Sequence, residues 1–88
     1  MQWIEYKQCR IAVAPAAQGA GRWGARYQIA HESIAAPVHG VFEGGDMTAE
    51  EAFARAMRVV KVAINEAPDL PGEPFAASLR QLDERFVL

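Results

Sequence analysis

The hydrophobic period of this chain changes once, and the change falls at Gly44 and Gly45. Before that point apolar residues alternate with polar or small ones, the period of a strand with one buried face. After it they recur at three and four residues, the period of a helix with one buried stripe. A chain that runs strand-like first and helix-like afterwards belongs to the α+β class, with helices gathered on one side of an antiparallel sheet.

The alternation is clear at Cys9, Ile11 and Val13, and Pro15 is expected to end that strand because it has no N–H to donate. Trp3, Ile4 and Tyr6 admit two readings, a short extra strand or the start of the same one. After the loop "AAQGAGR", Trp23, Ala25, Tyr27, Ile29 and His31 share one face of a second strand, while Gly24, Arg26, Gln28 and Ala30 share the other. Two strands joined by a glycine-bearing loop form an antiparallel hairpin. The run Val38 to Gly44 reads as a third strand, with Gly40 marking a bulge or kink. The expectation is a three-stranded antiparallel meander.

The helix after it is announced by Thr48 and Glu51, spaced as a capping box, with Glu50 and Glu51 suited to the positive end of the helix dipole. Phe53, Ala56, Val60, Ala63 and Ile64 form its apolar stripe, Arg55, Arg58, Lys61 and Asn65 lie mainly opposite, and Pro68 stops it. This predicts one long helix over residues 48–66, packed on one face of the sheet. A proline-rich connector, residues 68–74, leads to a shorter helix over residues 75–86 striped by Phe75, Leu79, Leu82 and Phe86. The whole, residues 1–88, reads as one domain with its core in residues 4–66. The spacing leaves two destinations for the last stripe: the chain's own first helix, or a second copy of the chain.

The glycines of "GAGRWG", residues 19–24, match the dinucleotide fingerprint as text. That fingerprint requires a helix whose first N–H groups receive the pyrophosphate. Here "ARYQIAH" follows, a strand pattern, so the glycines read as a hairpin tip. "EGGD" ahead of the long helix offers a helix terminus, but Thr48 caps it and Glu43, Asp46, Glu50 and Glu51 repel an anion. His31 and His39, with Glu32, contain the minimum for a metal or a general base, yet read better as surface residues. Cys9 is the only cysteine, which excludes an internal disulfide and a thiolate zinc cluster, and it shares the apolar face of Ile11. No catalytic residue, metal, cofactor or small-molecule ligand is therefore expected, and the chain is read as non-enzymatic.

Eighty-eight residues bury about 60–65% of their unfolded surface, so the core is thin and a partner subunit is a common support. The opening "MQWIEYKQCR" has no apolar run of signal-peptide length, and no stretch approaches the ~20 apolar residues of a membrane helix. With a lone cysteine, this predicts a soluble protein of the cytoplasm. The net charge of −2 is unevenly divided, +3 over residues 1–31 and −5 over residues 32–88. Arg10, Arg22 and Arg26 fall in the basic part, the first and last on the outward side of the hairpin and Arg22 beside Trp23. Arginines near an aromatic occur on single-stranded nucleic-acid platforms.

The strand-strand-strand-helix order, with "YK" before "CRIAVAP", "GRW" opening the second strand and "TAEEAFARAM" opening the helix, resembles a group of small bacterial domains of unknown function with a β-β-β-α core. The resemblance covers roughly residues 4–66 and implies that fold, with no activity or site residue to carry over. The topology is also similar to the core of double-stranded RNA-binding domains and of antitoxin partners. Thr48, Glu50 and Glu51 stand where the former would need basic residues, and no DNA-binding segment is appended as in the latter. The leading functional expectation is a small module acting through protein–protein contacts, including a homodimer through Phe75, Leu79, Leu82 and Phe86. The alternative is a nucleic-acid-binding module using Arg10, Arg22 and Arg26. A minor enzyme subunit ranks third.

Overall fold

A computed structural model of the chain describes residues 2–68 and 71–82. It is α+β, as expected, but the sheet has four strands rather than three: β1 (Trp3–Tyr6), β2 (Cys9–Gly19), β3 (Arg22–Ala30) and β4 (Val38–Asp46). They lie side by side in chain order, every neighbour antiparallel. The two helices, α1 (Ala49–Glu66) and α2 (Glu73–Arg80), follow. Packing α1 against β2 and β3, and α2 against β4, leaves the opposite face of the sheet without a layer of its own.

The extra strand is β1. It turns into β2 through Lys7 and Gln8, both in the left-handed region at φ 50° and 68°. Two consecutive positive φ values make the twisted two-residue turn that suits a hairpin, normally built from Asn-Gly or similar residues. Ile4 then faces Ile11 and Tyr6 faces Cys9 on the core side, while Trp3 and Glu5 point outward. Tyr6 Oη donates to Asn65 Oδ1 at 3.0 Å, tying this edge to the end of α1, and Lys61 Nζ lies 5.3 Å from the Tyr6 ring centre.

Strand β2 does not end at Pro15, which pairs with Ala25 and is followed by four more residues of the strand. The reason is that β1 covers only Cys9 to Ala12. From Val13 onward β2 is an edge strand, where a residue without a donor is tolerated. The hairpin loop is also tighter than expected. Gly19 pairs with Arg22, leaving Ala20 and Gly21 at the tip, and a bulge between Ala17 and Gly19 accommodates Gln18. Gly40 stays in register opposite Tyr27, where a Cβ would strike the tyrosine ring, so it makes room rather than a kink. The irregularity of β4 lies further on, opposite Trp23 to Ala25.

Helix α1 begins with the expected box: Glu51 N–H donates to Thr48 Oγ1 at 3.1 Å and Thr48 N–H donates to Glu51 Oε1 at 3.2 Å. Thr48→Ala is expected to lower stability by about 1 kcal/mol, since it leaves a first-turn N–H without its partner. Urea denaturation would measure it, and an unchanged midpoint would remove the box from the stability of the fold. The buried line of α1 is Ala52, Ala56, Val60 and Ile64 with Ala63 beside it. Phe53, expected on that line, is 38% exposed, because Ala52 begins the four-residue ridge that meets the sheet. Alanines on this ridge let the helix approach closely over Ile11, Val13, Tyr27 and Ile29.

Helix α2 starts two residues earlier than expected, at Glu73 with Pro74 in its first turn, and runs to Arg80. Exposed Arg80 and Glu73 pair on its surface. Its stripe has a destination in the chain's own core: Leu79 and Leu82 are 0% exposed and Ala76 is 3%. Phe75 is half-buried at the rim. Phe86, the last member of the expected stripe, lies outside the described residues, as do Asp69 and Leu70 of the connector.

Candidate functional site

The side chains with chemistry to offer are sorted by the sheet. Alternation and register send Trp3 and Glu5 of β1, Arg10, Ala12 and Ala14 of β2, Arg26, Gln28 and Ala30 of β3, and His39 and Val41 of β4 to the face without helices. The floor of this open face is small: Ala14 stands beside Arg26, Ala30 beside Arg10, and Ala12, between Trp3 and Gln28, is 0% exposed. Two large apolar side chains rise from it, Trp3 at 43% and Val41 at 50% exposure. The Arg10 guanidinium carbon lies 5.9 Å from the Trp3 ring centre, within cation–π range.

Of the three arginines singled out by sequence, Arg10 and Arg26 therefore share one surface. Arg22 closes the β2–β3 tip, at the far end of that hairpin from Arg10. Two of the three have an acidic residue directly across in the ladder, Glu5 opposite Arg10 and Asp46 opposite Arg22. Glu43, two residues beyond Val41, adds a further carboxylate by alternation. The face is polar and aromatic, with no excess of positive charge.

On the helix side a groove of about 510 Å³ opens between the end of α1, the β1–β2 turn and α2, lined by Lys7, His31, Ser33, Asn65 and Phe75 among others. His31 Nδ1 accepts the Ser33 N–H at 3.0 Å and lies 2.8 Å from Ser33 Oγ. A backbone N–H can only donate, so Nδ1 is the acceptor nitrogen, which leaves Nε2 to carry the proton of the neutral ring. Ser33 Oγ in turn accepts from Gly72 N–H at 3.0 Å, and the His31 and Phe75 rings meet at 5.0 Å. This set of contacts ties the β3–β4 connection to the start of α2. The Ser33 hydroxyl is engaged from both sides, an anchoring arrangement.

The other residues weighed from sequence are dispersed. His39 stands on the open face and His31 beyond β3 on the helix side, so the two histidines are not brought together. Among the described residues no group of three His, Cys, Asp or Glu side chains gathers as a metal site would require. Cys9 is 1% exposed, and burial pushes its thiol above the ordinary value, which suits a core residue and opposes a nucleophile. "GAGRWG" forms the hairpin tip and the start of β3, with no helix after it. No described helix is long and apolar enough to cross a membrane.

Trp3 and Val41 were not singled out by sequence reasoning. The available signal was parity: each stands out of step with the inward residues of its own strand, Ile4 and Tyr6 for Trp3, and Gly40 and Phe42 for Val41. Comparison with protein-family models, curated proteins and solved structures found no match, so the resemblance to small β-β-β-α domains gains no support there.

Proposed function

We propose that this chain is a small non-enzymatic interaction module that works through protein–protein contacts on the open face of its sheet. The observation that carries the reading is that two large apolar side chains, Trp3 on β1 and Val41 on β4, are left in solvent at opposite margins of the one face that no helix covers. Between them lies a floor of alanines with Arg10 against the Trp3 ring, and tryptophan and arginine around a small apolar floor are typical of protein interfaces. The polar surround of Gln28, His39, Glu5 and Arg26 gives such a surface its rim. A cytoplasmic setting accords with the lone, buried thiol.

A double variant, Trp3→Ala with Val41→Lys, leaves the core untouched and is expected to keep its circular dichroism spectrum. It is also expected to lose at least about tenfold in recovery of bound protein, second copies included, when tagged chain is retrieved from host cells. Equal recovery by variant and parent would remove the open face from the function.

A second reading has one specific observation behind it: Arg10 against the Trp3 ring, with Arg26 on the same face. Stacking of bases on an aromatic beside arginines is how single strands are held. Under this reading Arg10, Arg22 and Arg26 give salt-sensitive retention of RNA or single-stranded DNA, weakened by Arg10→Ala with Arg26→Ala. Absence of binding at low salt ends it. The acidic residues across from Arg10 and Arg22 favour the protein partner.

A further inference from the structure

The open face has a pattern that selects among protein partners. Along the two central strands the outward residues come in unequal pairs: Arg10 beside Ala30, Ala12 beside Gln28, and Ala14 beside Arg26. The large member is on β2 in the first pair and on β3 in the other two. A flat sheet would fit many surfaces, but this relief fits one in which the same steps are reversed across the strands.

A second copy turned about a twofold axis that runs along the strands, between β2 and β3, presents that reversed pattern. The rotation lays β2 of one chain over β3 of the other and keeps each residue level with its own row. Arg26 of one copy then stands over Ala14 of the other, and Arg10 over Ala30, each contact occurring twice by symmetry. Strand β1 comes over β4, which brings Trp3 of one copy to the level of His39 and next to Val41 of the other. The exposed Trp3 ring of each copy thereby comes within one row of the exposed Val41 of the other.

Charge and area agree with this occupant. The face carries Arg10 and Arg26 with Glu5 and Glu43, so its formal charges sum to zero, and Glu5 beside Arg10 offsets the approach of Arg10 to its own copy across the axis. At ordinary strand rise and spacing, the four-stranded face offers on the order of 500 Å² per copy, about 1,000 Å² for the pair, which reaches the lower bound of a specific interface. We infer that the open face is closed by a second copy of this chain, sheet on sheet, with large residues of one copy seated on alanines of the other. This rests on the reading of the open face as a protein-binding surface and names its partner.

The test is the mass of the purified full chain by sedimentation equilibrium over a range of concentrations centred on about 10 µM. The parent is expected to pass from monomer to dimer within that range. Ala14→Arg sets bulk against bulk and is expected to weaken association at least tenfold, and Arg26→Ala, which removes the seated side chain, several-fold. The double variant Ala14→Arg with Arg26→Ala exchanges the two sizes and is expected to recover association to within about threefold of the parent. Circular dichroism checks that each variant is folded, and if Ala14→Arg is not, Arg26→Ala alone decides. A parent that stays monomeric, an Ala14→Arg chain that associates like the parent, or a double variant no better than Ala14→Arg would overturn the inference. A monomeric parent whose Trp3→Ala, Val41→Lys variant still loses recovered protein from cells would end this pairing and leave the open-face function standing.

Discussion

Replacing Leu79 with alanine is expected to lower the unfolding free energy by about 2–5 kcal/mol, the range for emptying a fully buried leucine site. Leu79 is 0% exposed and belongs to the same cluster as Val38, Phe42 and Ile64. Helix α2 has only eight residues, too few to persist without packing, so loss of this side chain weakens the helix and its contact together. The exposed Arg80–Glu73 pair offers little compensation. Domains have about 5–15 kcal/mol in total, and one of this size loses roughly 4–8 °C of melting temperature per kcal/mol. A fall on the order of 10–30 °C should therefore appear in a thermal melt. A shift below about 5 °C would mean that α2 is an appendage and that the core is complete without it.

The second large effect is expected at Gly24. A Cβ there would stand 2.5 Å from Gln18 Nε2 and well inside contact with the Phe42 backbone oxygen. The side chain can swing away, but the carbonyl belongs to β4 and moves only if the strand moves. The same carbonyl accepts from Gln18 Nε2 at 3.4 Å, a bond that reaches over β3 from the bulge in β2. Gly24→Ala is expected to cost about 2–3 kcal/mol, the upper part of the range for overfilling a packed site. Gly21→Asn serves as the contrast: its φ is +67° and its Cβ would meet open space, so a cost within about 1 kcal/mol is expected. If the two substitutions proved equal in chemical denaturation, the close approach of β4 would not be what requires glycine. Within "GAGRWG", the residue under the tightest constraint is thus the last, which lies inside a strand.

How much of this was legible depends on which interactions were local. The capping box, the helical period after Thr48 and the alternation of β2 and β3 are patterns within a few residues, and all appear in the structure. The first hairpin is not marked in the sequence because its turn is Lys7-Gln8, without the glycine or asparagine that ordinarily signals positive φ. Pro15 misled because its effect depends on whether a strand lies beside it, and the reach of β1 is a tertiary fact. Phe53 misled because the direction in which α1 crosses the sheet chooses among adjacent ridges. For the candidate site, arginine spacing identified Arg10 and Arg26, whereas Trp3 carried only its parity with Ile4 and Tyr6, and its place beside Ala12 and Arg10 comes from the register of the assembled sheet.

The short reach of β1 also bears on how a foreign strand would meet this sheet. Beyond Ala12 the outer edge of β2 is bare, and a bare edge is where a foreign strand would start to add itself. An arriving strand would find no donor at Pro15 and an uneven step at the Gln18 bulge. Neither residue contributes to a core or a cap; Pro15 withholds a donor, and the bulge at Gln18 breaks the spacing that strand addition copies. The irregular half of β2 is therefore a gatekeeper, a stretch whose defects discourage strand addition along that edge.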